Sequence, residues 1–321
     1  MQRDSVNGAC VWMNLPRHAV APALRSGADR RVDARLVESE EALRGSRSVR
    51  QLIRGAEGGG KPQLLYGAFG AGGKVIAAAM MVPQAGGTGL VFTSRPHGRF
   101  EEAGLVEALE VCCDQAPRDR VKLAQSLLSR GEDTQAQALR RSGFTVLADL
   151  AYMEARVPRD SCRPTVPPGV TMTPWDDRLE GKFLAAMEAS YRHTRDCPGL
   201  AGIRDTPDVL AGHRATGVFD PALWTLVTID GQPAGVLLLN RVPAAVCVEL
   251  VYLGLAPEFR GRSLGVTLMR CAFGQCAAMG EGVITLAVDT ANTPAVCLYR
   301  RFGFYRTATK TVMVRPLPQI V

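Results

Sequence analysis

The run ELVYLGLAPEFRGRSLGV, Glu249 to Val266, constrains the fold of this chain more than any other stretch. An apolar segment stops at Pro257, passes through a loop holding Arg260, Gly261 and Arg262, and continues as a helical pattern from Leu264 to about Met279. A strand, a phosphate-sized loop and a helix in that order leave free backbone N–H groups and the positive end of the helix dipole in the loop. An anion such as a pyrophosphate is the natural occupant of such a place. Glycine lets the backbone come close, and arginine adds charge. The plainer alternative is a solvated loop whose glycine serves geometry alone.

Downstream, Val283 to Val288 reads as a second buried strand, followed by a loop from Asp289 to Pro294. A helix from Ala295 to Arg301 is closed by Gly303 and hands over to a last strand near Thr311 to Val314. Two segments here resemble the cofactor motifs of the GNAT acetyltransferase superfamily. In that family an (Arg/Gln)-x-x-Gly-x-(Gly/Ala) loop follows the fourth strand, and an Asn plus a Leu-Tyr-x-x-x-Gly-Phe segment follows the fifth. The chain has Arg260-Gly261-Arg262-Ser263-Leu264-Gly265, then Asn292 with Leu298-Tyr299-Arg300-Arg301-Phe302-Gly303-Phe304. Two motifs at the right separation are far more specific than either alone. Ser263 departs from the pattern, standing where the family has glycine; its hydroxyl can donate to a phosphate oxygen.

The resemblance implies an α/β (α+β) fold with a mixed, mainly antiparallel central sheet flanked by helices. It also implies acetyl-CoA, or another acyl-CoA, as co-substrate, transferring its acyl group to a primary amine by direct attack in a ternary complex. The pyrophosphate clamp would be Arg260, Gly261, Arg262, Ser263, Leu264, Gly265 and Val266. Leu253, Gly254 and Leu255 would pair with the pantetheine arm, with a backbone N–H there polarising the thioester carbonyl. Asn292 would contact the cofactor arm; its other reading is a helix cap. Tyr299 would donate a proton to the leaving sulfur, the alternative being a half-buried helix aromatic. Glu249 matches the carboxylate that accepts the amine proton, and burial between Val248 and Leu250 would raise its pKa, as suits a base. A strand-end ion pair is its other reading, and Asp289 stands behind it as a second candidate base.

The acceptor side is less explicit. The helix Leu179 to Tyr191 carries Phe183, Leu184, Met187 and Tyr191 on one face, and Arg192 to Gly202 is a polar loop. Thr206 and Pro207 are expected to open the next helix, with the hydroxyl as cap and the proline in the first turn. In GNAT-like folds this region lies over the acceptor site, so His193, Thr194, Arg195, Asp196 and Cys197 are candidate substrate contacts. A solvated connector is the equal alternative.

With 321 residues, 46% of them apolar, the chain can form two domains. The first half repeats the order of parts of the second. Shifting by 161 residues brings Pro96, Arg99 and Gly104 onto Pro257, Arg260 and Gly265, and shifting by 160 brings Arg140, Arg141, Gly143 and Phe144 onto Arg300, Arg301, Gly303 and Phe304. Glu101 and Glu102 then replace Arg262 and Ser263, and Leu139 replaces Tyr299. Two carboxylates would repel a pyrophosphate. The expected layout is an irregular start at 1–30, a degenerate GNAT-like domain at 31–157, a proline-rich linker at 158–169 and an acyl-CoA-binding GNAT domain at 170–321. The Gly58-Gly59-Gly60-Lys61 loop lacks the full spacing of a nucleotide P-loop.

Charge does not point to nucleic acid: 22 Lys+Arg minus 18 Asp+Glu in residues 1–160 and 16 minus 13 in 161–321 give +4 and +3, with neither half a polycation. The nine cysteines form no CxxC and no pairing with the four histidines, which argues against a bound metal and against a secreted disulfide framework. No window approaches a membrane span, and a cytoplasmic enzyme acting on a small-molecule, protein or peptide amine is the expectation. A non-catalytic acyl-CoA-binding protein and a tandem aminoacyl transferase using aminoacyl-tRNA are the competing readings; the intact pyrophosphate loop speaks against the latter.

Overall fold

The computed structural model describes residues 33–37, 42, 44–56, 64–117, 119–162 and 164–318. The expected irregular start at 1–30 and the Glu57–Lys61 loop lie outside the described residues. The described residues divide into two compact units: one contains Asp149–Thr309, the other the described residues of 33–148 with those of 310–318. In chain order the first repeat comprises β1 (Asp33–Leu36), α1 (Arg47–Ala56), β2 (Leu64–Phe69), β3 (Val75–Gln84), β4 (Thr88–Thr93), α2 (Arg99–Asp114), β5 (Leu123–Ser129), α3 (Asp133–Arg141) and β6 (Thr145–Arg156). The second comprises β7 (Val170–Pro174), α4 (Glu180–Tyr191), α5 (Thr206–Ala215), β8 (Trp224–Ile229), β9 (Gln232–Val242), β10 (Cys247–Leu255), α6 (Leu264–Ala278), β11 (Val283–Asp289), α7 (Thr293–Arg301) and β12 (Tyr305–Pro316). The tandem α/β arrangement is therefore present in the structure, with strand–helix–strand–helix–strand following the central hairpins twice.

In the unit containing β1 to β5, neighbouring strands β1 through β4 pair antiparallel. β4 pairs parallel with β5 from Thr88 to Leu90, and the Lys310–Pro316 part of β12 pairs antiparallel with β5. In the other unit β7, β8, β9 and β10 are antiparallel neighbours, β10 and β11 are parallel, and the Val283–Asp289 ladder of β11 is completed by Leu150–Arg156 of β6. The sequence repeats and the compact units thus differ in their last strands: each unit's sheet includes the final strand segment of the other repeat.

Local signals explain most of these elements. Asp230 and Gly231 both have positive φ, 49° and 78°, the pair of left-handed residues a two-residue hairpin needs between β8 and β9. On α4, Phe183, Ala186, Met187 and Ser190 are buried at helical spacing. They pack with Trp175, Trp224 and Leu238 on one face of the sheet. α6 and α7 cover the opposite face through Leu268, Met269, Cys276 and Tyr299, against Val248, Leu250 and Leu286. Asn240 is fully buried, yet its amide is satisfied: it accepts from Trp224 Nε1 at 2.8 Å and donates to the carbonyls of His213 and Thr216. That network fixes the end of α5 to the sheet. α5 differs from expectation in its cap. It begins at Thr206 with Asp205 as N-cap and no side-chain capping bond, because the threonine already lies inside the first turn.

Candidate active site

β10 pairs with β9 along its length, from Cys247↔Val242 to Leu255↔Gly235, with a bulge between Leu250 and Tyr252. Its other edge pairs with β11 only at Val248↔Ile284 and Glu249↔Thr285. Beyond Glu249 the two parallel strands part. A bulge increases local twist and turns a strand away from its neighbour, so the Leu253–Leu255 backbone faces an opening. Gly254 lets α4 come close on the other face: a Cβ there would lie 2.6 Å from Ser190 Oγ.

At the wide end of this fork stands the start of α6. Gly261 and Ser263 have φ of 75° and 59°, and the amides of Gly261, Arg262, Ser263, Leu264 and Gly265 donate to no acceptor among the described residues. Val266 and Thr267 donate to the Ser263 carbonyl, closing the first turn. Five successive free amides at a helix N-terminus form a cradle for an oxyanion. Ser263 adopts the left-handed conformation where the family has glycine. That conformation costs a β-carbon-bearing residue about 1–2 kcal/mol, and glycine's extra freedom in the unfolded chain offsets about 0.4–1 kcal/mol of it. Ser263→Gly is therefore expected to stabilise the protein by about 0.5–1 kcal/mol, read as a raised denaturant midpoint at unchanged slope.

Arg260 behaves differently from the sequence expectation of a charge aimed at a pyrophosphate. Its guanidinium donates to the carbonyls of Leu255 at 2.9 Å, His193 at 3.1 Å, Ser190 at 2.8 Å and Arg192 at 3.1 Å. The end of α4 offers carbonyls that lack helical partners, and a planar five-donor fork can satisfy several at once. Arg192 in turn pairs with Glu258 at 2.7 Å. Arg262 lies over the Phe259 ring at 5.7 Å.

The far end of the 192–202 loop is held by β11. The Asp289 amide donates to Asp196 Oδ1 at 3.0 Å, and Asp289 Oδ2 accepts from the Cys197 amide at 3.1 Å. Asp289 Oδ1 accepts from the Ala291 amide at 2.8 Å. Both Asp289 oxygens are thus occupied in a carboxylate that is 4% exposed, which makes it a loop fastener and a poor base. Asn292 caps α7, accepting from the Ala295 amide at 3.4 Å, and its side chain lies near enough to Asp196 to lower that carboxyl's pKa. The structure therefore brings Asp196 and Cys197 to Asp289, and His193 to Arg260. The Thr194 hydroxyl bonds only within its loop among the described residues, and its amide donates to the Tyr191 carbonyl at the end of α4. His193, Cys197 and Ser263 are three of the five non-glycine residues with positive φ among the described residues, and strain of this kind concentrates at functional sites.

Glu249 sits at the apex of the fork; its side chain makes no hydrogen bond or ion pair among the described residues, and its carboxyl is raised above the usual glutamate range by burial. Tyr299, 7% exposed on α7, has its phenol raised by burial and then by the Asp196 carboxylate, so it remains a proton donor. Asp196 itself still reaches solvent, but burial and then the Asp289 carboxylate raise its pKa, against the bond from the Asp289 amide and the neighbouring Asn292 side chain. The Cys197 thiol is pushed up to about 12 by burial and by the Asp196 and Asp289 carboxylates. It is held as a thiol, unsuited to nucleophilic attack.

Sequence reading missed the aromatic cluster that Tyr252 of β10 forms with α4 and α5. The Tyr252 hydroxyl hydrogen-bonds Ser190 Oγ at 2.7 Å, and its ring stacks on His213 at 5.3 Å and meets Tyr191 edge-on at 5.8 Å. The His213 imidazole is pushed down to about 4 by burial, and is neutral at physiological pH. The buried Tyr191 hydroxyl has no partner among the described residues. Tyr252 follows a bulge whose position shows only in the strand register, so side-chain alternation alone could not assign its face.

With this geometry in view, the sequence model of the Acetyltransferase (GNAT) family matches residues 188–304. That span runs from the end of α4 through both cofactor motifs. The match to the GNAT family therefore covers both the fork and the amide cradle. A mycothiol acetyltransferase of Streptomyces griseus subsp. griseus is 32% identical over 171 residues, 53% of this chain and 53% of the relative. One from Pseudarthrobacter chlorophenolicus is 30% identical over 173 residues, 52% of each. The chain thus spans about half the length of the curated relatives it matches. Among solved structures, a GCN5-related N-acetyltransferase from Sphaerobacter thermophilus superposes with a TM-score of 0.56 at 20% identity, covering 91% of this chain and 98% of that one. At that identity the likeness concerns the fold, and it extends the GNAT-like architecture over most of the chain. Acetyl-CoA is the general co-substrate of GNAT acetyltransferases, and no cluster of three or more metal-ligating side chains occurs among the described residues. No helix among them is long and apolar enough to cross a membrane.

Proposed function

We propose that the chain is an acyl-CoA-dependent N-acyltransferase, most simply an N-acetyltransferase, whose reaction takes place in the unit containing Asp149–Thr309. The observation that carries this reading is the row of five unbonded amides, Gly261 to Gly265, at the wide end of the β10–β11 fork. The amides hold the pyrophosphate of acetyl-CoA, and the freed edge of Leu253–Leu255 pairs with the pantetheine arm and directs an N–H at the thioester carbonyl. Glu249 removes a proton from the acceptor amine, whose lone pair forms the new C–N bond as the C–S bond breaks. Tyr299 protonates the departing sulfur. The protonated state of the Cys197 thiol supports direct transfer over an acyl-enzyme.

The first repeat supports a non-binding role. Glu101 accepts from the His97 amide at 2.8 Å, so a carboxylate of the chain itself occupies the start of α2, and Glu102 is paired with Arg141 at 3.2 Å. The acceptor is a small-molecule amine, approached beneath the 192–202 loop where Asp196 supplies a counter-charge. The name shared by the curated relatives makes the unacetylated form of mycothiol the first amine to try. The described cysteines are free, which supports a reducing, cytoplasmic setting.

The test combines calorimetric titration of acetyl-CoA with thiol-release assays over a panel of primary amines. Micromolar binding and amine-dependent CoA release are expected. Tyr299→Phe should lower turnover about 100-fold, at the low end for general acid catalysis, and leave cofactor affinity within twofold. Binding without turnover on any amine would favour the non-catalytic reading, and absence of binding would defeat both.

A further inference from the structure

A second candidate ligand site lies on the far side of β11 from the fork. β11 pairs with β10 on one edge and with β6 on the other. Over β6, a cleft of about 440 Å³ opens between α7 and the start of β12. That volume falls within the range of small-molecule sites. Its floor is apolar, formed by Met153 and Phe304, both buried, with Val296 at the side. Its rim is cationic and aromatic: Arg300, Arg306 and Tyr305 line it, and Tyr305 is 54% exposed.

Neither Arg300 nor Arg306 forms an ion pair or side-chain hydrogen bond among the described residues. The nearby acid, Glu154, accepts from the Tyr305 hydroxyl, and neither guanidinium group has a carboxylate partner among the described residues. Arg156 adds a further positive charge close enough to act on Tyr305. Two unpaired guanidinium groups over an apolar floor match a compact ligand with an anionic head and an apolar or aromatic body. Arginine also stacks on aromatic faces, so a flat body suits the site.

We propose that this cleft binds a small aromatic or apolar anion, a carboxylate or phosphate monoester, as a site separate from the cofactor cradle. Val296 and Arg300 lie one turn apart on α7, the helix that also carries Asn292 and Tyr299. A ligand there rests against the helix that presents the candidate proton donor, from outside the fork. The proposal does not depend on the acyltransferase reading, because no residue of the cleft rim has been assigned to the reaction.

Phenyl phosphate is the probe, titrated into the full chain by calorimetry, with inorganic phosphate as the bodiless control and CoA as the competitor. Phenyl phosphate is expected to bind at one site, to bind equally well with saturating CoA present, and to weaken at least tenfold in Arg300→Glu/Arg306→Glu. Val296→Trp, which fills the cleft without changing its charge, should weaken it similarly while thermal unfolding stays within a few degrees of wild type. No binding by wild type, displacement by CoA, or full affinity in either variant would each overturn the site. Equal affinity for inorganic phosphate would overturn the ligand class.

Discussion

Glu249→Gln is expected to lower acetyl transfer by roughly 10²- to 10⁴-fold, the range for loss of a general base, with acetyl-CoA affinity unchanged. The carboxyl stands at the fork's apex, away from the amide cradle, so its removal leaves the cofactor contacts intact. Its effect on stability should have the opposite sign. Burial raises the Glu249 pKa, so the folded protein holds that proton more tightly than the unfolded chain does. The stability this contributes is fully present below the unfolded-state pKa and is lost as pH rises through the folded one. At neutral pH the site carries an unpaired, largely dehydrated carboxylate, and glutamine relieves that cost. Melting curves should show the variant equal to or more stable than wild type near neutrality, the advantage shrinking as the solution is acidified. In wild type the acid limb of kcat/KM should fall at a higher pH than an ordinary glutamate would give, and it should vanish from the residual rate of the variant. Full activity in Glu249→Gln, or inactivity accompanied by a fall of several degrees in Tm, would remove Glu249 from the chemistry.

The second large effect concerns the cradle. Gly265→Glu should weaken acetyl-CoA binding about 100-fold or more: a carboxylate about 5 Å from a pyrophosphate charge costs about 3 kcal/mol at an effective dielectric near 20. The substitution is sterically mild, because the new Cβ would meet only Leu298 Cδ2, at 3.1 Å, the flexible end of a side chain. Arg260→Gln is the informative companion. Its donors go to four carbonyls, so it should cost about 2 kcal/mol of stability and speed hydrogen exchange in residues 192–202, while acetyl-CoA affinity falls less than tenfold. The reverse pattern, with Arg260→Gln abolishing binding and Gly265→Glu sparing it, would show that the guanidinium reads the phosphates directly.

These two residues mark the boundary between local and tertiary information. The helix start at Gly265 was legible because a strand, a glycine-containing loop and a helix are specified by neighbouring residues. The same holds for the Asp230-Gly231 hairpin and for the apolar stripe of α4, where periodicity fixes which face is buried. Chain order also disclosed the repeat, and with it the acidic replacements at Glu101 and Glu102.

Arg260 was not legible in the same way. A long, exposed side chain takes whichever acceptors the fold brings to it, and here these come from Ser190, 70 residues away. Asp289 is a further case: its sequence neighbourhood allowed a base, and contacts with Asp196 and Cys197, more than 90 positions distant, made it a fastener. Thr206 had the chemistry of a cap, but one residue's difference in where α5 begins placed it inside the helix. The sequence by itself determined the strand–loop–helix order, the two motifs and their repetition, because hydrophobic period, glycine and proline act within a few residues. Tertiary structure alone decided the parting of β10 from β11 after Glu249, the trade of last strands between repeats and the fastening of the 192–202 loop. Each of these depends on which distant backbone groups are left without partners once the sheets have formed, and no local pattern encodes that remainder.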